Sequence, residues 1–394
     1  MVIFMIPHKT ATSRTRALGA GLGLLFCCSC ATKTPRAEVM AHELPAETPI
    51  NAEAGRGGHL TVMLQMDDGR ELLFMVDTGA PDTFVDESLV PKLGKKKQRQ
   101  SISFVGGDHA YADLYSAPKL YWGTTRLLTG RYVGALDFKT LPFRRNPSVV
   151  GILGMDCLRH YCIQLDFEAG RIRFLPPELQ ETNDLGIALP ISFSRGYCPQ
   201  LHRANFVGRA PNLLVDIGCN IDGMVNREAV DGIAVFFPER NWGGETYTNL
   251  IVAGVGRANA VGLRFLARHV VTFDFPKGTL YLKQKRLGPL AGDHSLKGSH
   301  LGDLESPMNL LLRLKAKDQL PDWAMNDQSP ICLETCSNSA PKTLESVTFS
   351  VRGRSGLTMN HYETAVGANS GQWRLQRAWQ TDQDGKTTAE FTVP

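Results

Sequence analysis

The chain has 394 residues, 43% of them hydrophobic and 21% charged, with 38 Gly and 22 Pro. That balance excludes a fibrous, collagen-like or wholly disordered protein and supplies material for two or three cores. The 43 basic and 39 acidic residues leave a formal charge of +4, which falls close to neutral if Lys9, Arg14 and Arg16 leave with a leader, so charge gives no support to a nucleic-acid or membrane-surface role.

At the N-terminus, three basic residues precede an apolar run over residues 17–28. It is too short to span a bilayer as a helix and has the length of a secretory h-region, so residues 1–30 read as the signal peptide of an exported protein. Within Cys27-Cys28-Ser29-Cys30-Ala31, small Ser29 before Cys30 is like the cleavage box of bacterial lipoproteins. Cys30 is then the lipid acceptor and the only route to a membrane, and plain secretion is the other reading of this leader. Residues 31–57 are rich in Pro, Ala and Glu without apolar periodicity, and suit a flexible linker.

The fold is expected to begin near His59. Leu60, Val62 and Leu64 alternate with Thr61, Met63 and Gln65, Asp67-Asp68-Gly69 supplies turn chemistry, and residues 72–76 return as a second apolar strand running into Asp77. From there to Leu175 short strand-like runs are broken by Gly, Pro or Asp, so the body reads as mainly β.

A repeat organises this body. The block that starts Gly154-Met155-Asp156 and reaches Leu165-Asp166-Phe167 aligns without a gap on the block that starts Gly262-Leu263-Arg264 and reaches Phe273-Asp274-Phe275. Upstream, Phe74-Met75-Val76-Asp77-Thr78-Gly79-Ala80 matches Leu213-Leu214-Val215-Asp216-Ile217-Gly218-Cys219, and both copies continue to an apolar pair, Phe84-Val85 and Met224-Val225. Two blocks matching in the same order define two related β lobes, residues 58–178 and 186–284, each presenting one Asp-x-Gly turn after an apolar strand.

Beyond residue 285 the pattern changes. A short helix is expected over 309–315, then strands over 347–351, 372–379 and 387–393 with Asp384-Gly385 as a hairpin turn, giving a β-rich C-terminal region over 300–394 in which Trp373, Leu375 and Trp379 pack a small core. Cys332 and Cys336 fit a local disulfide or two free thiols better than zinc, because no His or Cys follows at a ligand spacing. No metal and no cofactor is expected.

An apolar strand ending in Asp77-Thr78-Gly79-Ala80, the apolar run Ile152-Leu153-Gly154 and the closing Leu165-Asp166-Phe167 hairpin together resemble the aspartic protease superfamily. The nearer likeness is to the bacterial retropepsin-like aspartyl proteases, in the two-lobed single-chain layout that pepsins also have. The resemblance covers residues 58–284 and implies a monomer with an intrachain pseudo-dimer, Asp77 and Asp216 as catalytic carboxylates, and a peptide or protein substrate bound between the lobes. Thr78, Gly79 and Gly218 support the two loops, with Thr78 offering a hydroxyl across to the partner loop. It also implies a hairpin flap, placed at Gly106, Gly107 and Tyr111, with Trp242-Gly243-Gly244 as the counterpart in lobe two.

Lobe two departs from the pattern. Ile217 stands where Thr or Ser is usual and cannot supply a second hydroxyl, Cys219 occupies the next position but one, and Arg264 replaces the Asp156 of lobe one. The alternative to an active endopeptidase is therefore a pseudoprotease that binds peptides or envelope proteins. Asp166 and Asp274 sit within the closing hairpins and read as turn residues.

Overall fold

The computed structural model describes residues 43–103, 109–140, 148–176, 184–194, 196–202, 206, 212–225, 234–254, 259–293, 310–311, 314, 319–320, 331–340, 343–352, 357–366 and 373–392. The leader, Cys30, Gly106 and Gly107 lie outside the described residues. The protein is mainly β, built from two lobes of like topology and a C-terminal set of strands.

Lobe one contains β1 (Thr48–Pro49), β2 (Thr61–Met66), β3 (Glu71–Val76), β4 (Phe84–Asp86), β5 (Lys96–Ser103), β6 (His109–Ser116), β7 (Leu120–Trp122), β8 (Thr125–Arg126), β9 (Tyr132–Leu136) and β10 (Val149–Leu153). The short helix α1 (Met155–Leu158) and the hairpin β11 (Cys162–Asp166) and β12 (Arg171–Phe174) follow. Alternation in β2 puts Val62, Leu64 and Met66 inside and leaves Met63 exposed, as a half-buried strand requires. The β3 segment Phe74-Met75-Val76 is buried without alternation because β10 lies parallel beside it and both faces are covered. Nine strands form one sheet in the order β5-β6-β9-β4-β10-β3-β2-β7-β8.

Lobe two repeats the plan with β13 (Ile187–Phe193), β14 (Pro199–His202), β15 (Asn212–Asp216), β16 (Gly223–Val225), β17 (Ala234–Trp242), β18 (Glu245–Gly254), β19 (Ala260–Gly262), α2 (Leu263–Leu266), β20 (His269–Asp274) and β21 (Thr279–Gln284). In each lobe the strand bearing the Asp pairs in parallel with the strand bearing the Leu/Val-Gly sequence, Val76 opposite Leu153 and Val215 opposite Val261. The closing hairpins join the lobes. β11 runs antiparallel to β20 with Gln164 opposite Thr272, two residues at matching repeat positions, and the Gln164 amide donates to the Thr272 hydroxyl at 2.9 Å. The pseudo-two-fold axis passes through this pair. One buried cluster, including Leu153, Val215, Leu263 and Phe273, continues through both lobes.

Two expectations change here. Order begins before residue 58: β1 pairs with β12, Asn51 bridges His59 and Thr61, and Ala54 is buried, so residues 48–57 belong to the folded body, because apolar Ile50 and Ala54 join its core. The C-terminal region, expected as β-rich with a small core of its own, is joined to the sheet of lobe two. It is a meander of β22 (Ile331–Ala340), β23 (Thr343–Arg352), β24 (Met359–Val366), β25 (Trp373–Thr381) and β26 (Thr387–Thr392), and β22 pairs with β17 of lobe two. Leu375, Ala378 and Tyr362 pack its interior, while Trp379 is half-buried and stacks on His361 at 5.0 Å. Residues 310, 311 and 314 are helical. Cys332 and Cys336 both fall on β22, where four residues of strand separate their Cα atoms by ~13 Å, too far for a disulfide.

Candidate active site

Two turns meet on the pseudo-two-fold axis. Asp77 leaves β3 and Asp216 leaves β15, both almost wholly excluded from solvent at 2% and 0% exposure. Each is held the same way: the Gly79 amide donates to Asp77 Oδ1 at 2.7 Å, and the Gly218 amide donates to Asp216 Oδ1 at 2.9 Å. The glycines are dictated by the opposite loop. A Cβ at Gly218 would sit 2.4 Å from Asp77 Cγ, and one at Gly79 would sit 2.8 Å from Asp216 Oδ1, so no side chain fits at either position. Each carboxyl thus lies directly against the opposite loop, facing its counterpart across the axis. Asp216 Oδ2 is buried and takes no bond from a donor among the described residues.

Burial pushes both carboxyls up, Asp77 to about 6, and Asp216 is raised further by the Asp77 charge beside it. Two carboxylates this close cannot both ionise easily, so one proton is shared by the pair.

Thr78 carries the grip between the loops alone. Its hydroxyl donates to the Val215 carbonyl at 2.7 Å and accepts from the Ile217 amide at 3.0 Å. Ile217 is buried in an apolar niche with Leu60, Val76, Leu158 and Phe273, so its side chain supports the loop by packing where a hydroxyl would have bonded. Each loop is further braced by the other lobe. Asn220 donates to the Gly57 carbonyl at 3.0 Å, and at the matching place on the other side Gly196 rests on Pro81. The buried Cys198 thiol donates to the Gly79 carbonyl at 3.4 Å, and neighbouring Tyr197, held at φ 66°, lays its ring under the Arg159 guanidinium at 3.8 Å.

Sequence reading missed the second layer. In lobe one Asp156 accepts from the Thr83 hydroxyl at 2.7 Å and the Gly130 amide at 2.9 Å. In lobe two the polarity is reversed: Arg264, at the position of Asp156, bonds Asp222, at the position of Thr83. Fully buried Arg268 also bonds Asp222, at 2.9 Å, and Arg264 reaches Asp293 at 2.9 Å. Arg264 therefore braces lobe two internally and fastens Asp293 to it, while Arg268 donates to the Leu287 carbonyl; the repeat alignment at these two positions was the available signal. Asp82, between Pro81 and Thr83, is pushed up to about 6 by burial and by the Asp156 charge.

Asp166 and Asp274 accept from the Ala169 and Lys277 amides, and so cap their turns. Tyr111 lies on β6, exposed, with Arg99 of β5 over its ring at 5.1 Å. Trp242 is not on a loop over the dyad: it ends β17 and packs edge-on against Phe206 and Phe265, while Gly243 and Gly244 take positive φ in the tight turn to β18. Cys157, Cys162, Cys198 and Cys219 are buried free thiols. Among the described residues no three His, Cys, Asp or Glu side chains converge in the way a metal site requires.

Residues 62–157 match the family model described as aspartyl protease, a span that takes in the Asp77 loop and Gly154. Lobe one thus carries the sequence pattern of a family of peptide hydrolases. Among solved structures the chain is similar to the basic 7S globulin from soybean, at 11% identity and a TM-score of 0.42, over 62% of this chain and 96% of that one. No curated protein matches the sequence.

Proposed function

We propose that the protein is an aspartic-type endopeptidase, exported to the cell envelope, that hydrolyses extended peptides between its lobes. The observation that carries the reading is the pairing of Asp77 and Asp216 at matching positions on the pseudo-two-fold axis, each oriented by the amide two residues on. The ionised member of such a pair accepts a proton from water as the water oxygen attacks the scissile carbonyl carbon, and the protonated member donates to the carbonyl oxygen. Collapse of the tetrahedral species restores the C=O bond, breaks the C–N bond and sends the amine away with a proton. Thr78 and the packed Ile217 keep the two loops in register through this cycle, and Cys30 is the residue we assign to a lipid anchor.

The test is cleavage of a mixed peptide library by the chain from residue 40 onward, beside Asp77→Asn and Asp216→Asn. Loss of cleavage in both variants with the fold intact supports a two-carboxylate hydrolase. If the wild type binds peptides and cleaves none between pH 3 and 8, the lobes form a recognition module instead.

A further inference from the structure

Lobe one carries the β5–β6 hairpin, where the sequence reading puts a flap, on its own sheet edge, and the stretch between the matching strands of lobe two is much shorter. Between β4 and β6 lobe one has residues 87–108, enough for a 3-10 turn over Glu87–Lys92, the strand β5 and a loop. Between β16 and β17 lobe two has only residues 226–233, fewer than half as many. An uncovered β17 would expose a row of backbone donors and acceptors at the sheet edge. β22, about a hundred residues further along the chain, lies there instead.

The registers put β22 in the position of β5. Leu114 of β6 faces Gly134 of β9, and Ala234 of β17 faces Ala253 of β18; the parallel partners Phe84 with Gly134 and Met224 with Ala253 show that these are matching places. On the outer side Gln98 of β5 faces Leu114, and Leu333 of β22 faces Ala234. Lobe two thus reads β22-β17-β18-β16-β19-β15-β14 where lobe one reads β5-β6-β9-β4-β10-β3-β2. The direction agrees as well. Past Gln98, β5 runs five residues to Ser103, and past Leu333, β22 runs seven to Ala340 before β23 returns, a reach of ~17 and ~23 Å at strand rise, the latter shortened by the irregular pairing of β22 with β23.

We infer that the β22–β23 hairpin is the flap of lobe two, supplied by the C-terminal region, and that it binds the half of an extended peptide lying on the lobe-two side of the dyad. This rests on the peptide-cleft reading above. It gives the C-terminal strands a functional role: β24 to β26 widen the sheet behind the hairpin and stiffen it, as a bare hairpin would not be rigid enough to hold a substrate.

The test uses the full chain with the hairpin shortened by removal of Asn338 and Ser339 from β22 and of Leu344 and Glu345 from β23. Two residues from each strand keep every remaining side chain on its face while withdrawing the end by ~7 Å. Decapeptide libraries are assayed for cleavage by the shortened chain and for binding by its Asp77→Asn form, with hydrogen exchange over 234–236 to check that β22 still covers β17. The expected result is a KM raised tenfold or more, kcat changed less than threefold, an unchanged pH profile and retained protection at 234–236. Cleavage with unchanged KM overturns the inference and leaves the protease reading standing. Binding without cleavage by the wild type, weakened tenfold by the shortening, overturns the protease reading and keeps the inference. A chain that neither cleaves nor binds peptides overturns both, and loss of protection at 234–236 is resolved by the single substitution Asn338→Pro, which removes a backbone donor opposite Leu344 and loosens the hairpin end without touching the β17 pairing, and is expected to raise KM likewise.

Discussion

Replacing Thr78 by Val isolates the grip between the two loops. Val has nearly the shape of Thr, so packing changes little, but the hydroxyl that serves both the Val215 carbonyl and the Ile217 amide is gone. Each stranded buried backbone group costs about 1–3 kcal/mol, so the variant is expected to lose about 2–6 kcal/mol, or roughly 4–24 °C in Tm for a body of this size. Ile217 packing and the Asn220 bond to the Gly57 carbonyl remain, but neither replaces the two lost hydrogen bonds, so the two carboxyls are expected to shift relative to one another. A displacement of ~1 Å at reacting groups costs about a hundredfold in rate. The assay is denaturant unfolding with peptide turnover on wild type, Thr78→Val and Thr78→Ser, the last retaining the hydroxyl and staying within about 1 kcal/mol of wild type. Thr78→Val at full turnover and within about 0.5 kcal/mol would show that Ile217 packing alone holds the loops and that the hydrogen bonds do not.

The pH dependence follows from buried carboxyls. Asp77 and Asp82 are raised to about 6 by burial, and Asp156 and Asp216 are raised by the same cause. The folded chain therefore binds more protons than the unfolded chain from about pH 4 to 6, and stability should fall as pH rises through that window and beyond it until Asp216 also ionises. Denaturation midpoints between pH 4 and 8 check this, with Asp82→Asn flattening the slope, and a midpoint that climbs across the window contradicts it. For the same reason the acid limb of kcat/KM should lie near pH 6, with activity extending toward neutrality; a sharp optimum far into acid would rule that out. Arg264→Ala removes one of two guanidiniums from buried Asp222 and the ion pair to Asp293, and should cost about 3–5 kcal/mol in urea unfolding while leaving the acid limb in place; a loss below about 1 kcal/mol would mean that Arg268 suffices.

What the sequence by itself determined lies in short-range pattern and in the repeat. The alternation of residues 60–66, the turn at Asp67-Asp68-Gly69 and the unbroken apolar stretch before Asp77 are local signals, and they correspond to β2, its turn and β3. Alignment of Asp77 with Asp216 and of Gly154 with Gly262 was legible because a duplicated fold must keep the residues at which backbones approach closely, and the structure brings the two aspartates to one axis. Only the tertiary structure decided how the departures from the repeat are absorbed. Ile217 could be read as a missing hydroxyl but not as a side chain seated against Leu60 and Leu158, since those residues come from the other lobe. Arg264 could be read as a lost aspartate but not as the partner of Asp222, because the exchange of charge sign spans two elements 42 residues apart. The pairing of β22 with β17 left no trace in either strand's own sequence. Backbone hydrogen bonds at a sheet edge accept any strand of suitable pleat, so which distant segment fills the edge is settled by the shape of the whole fold.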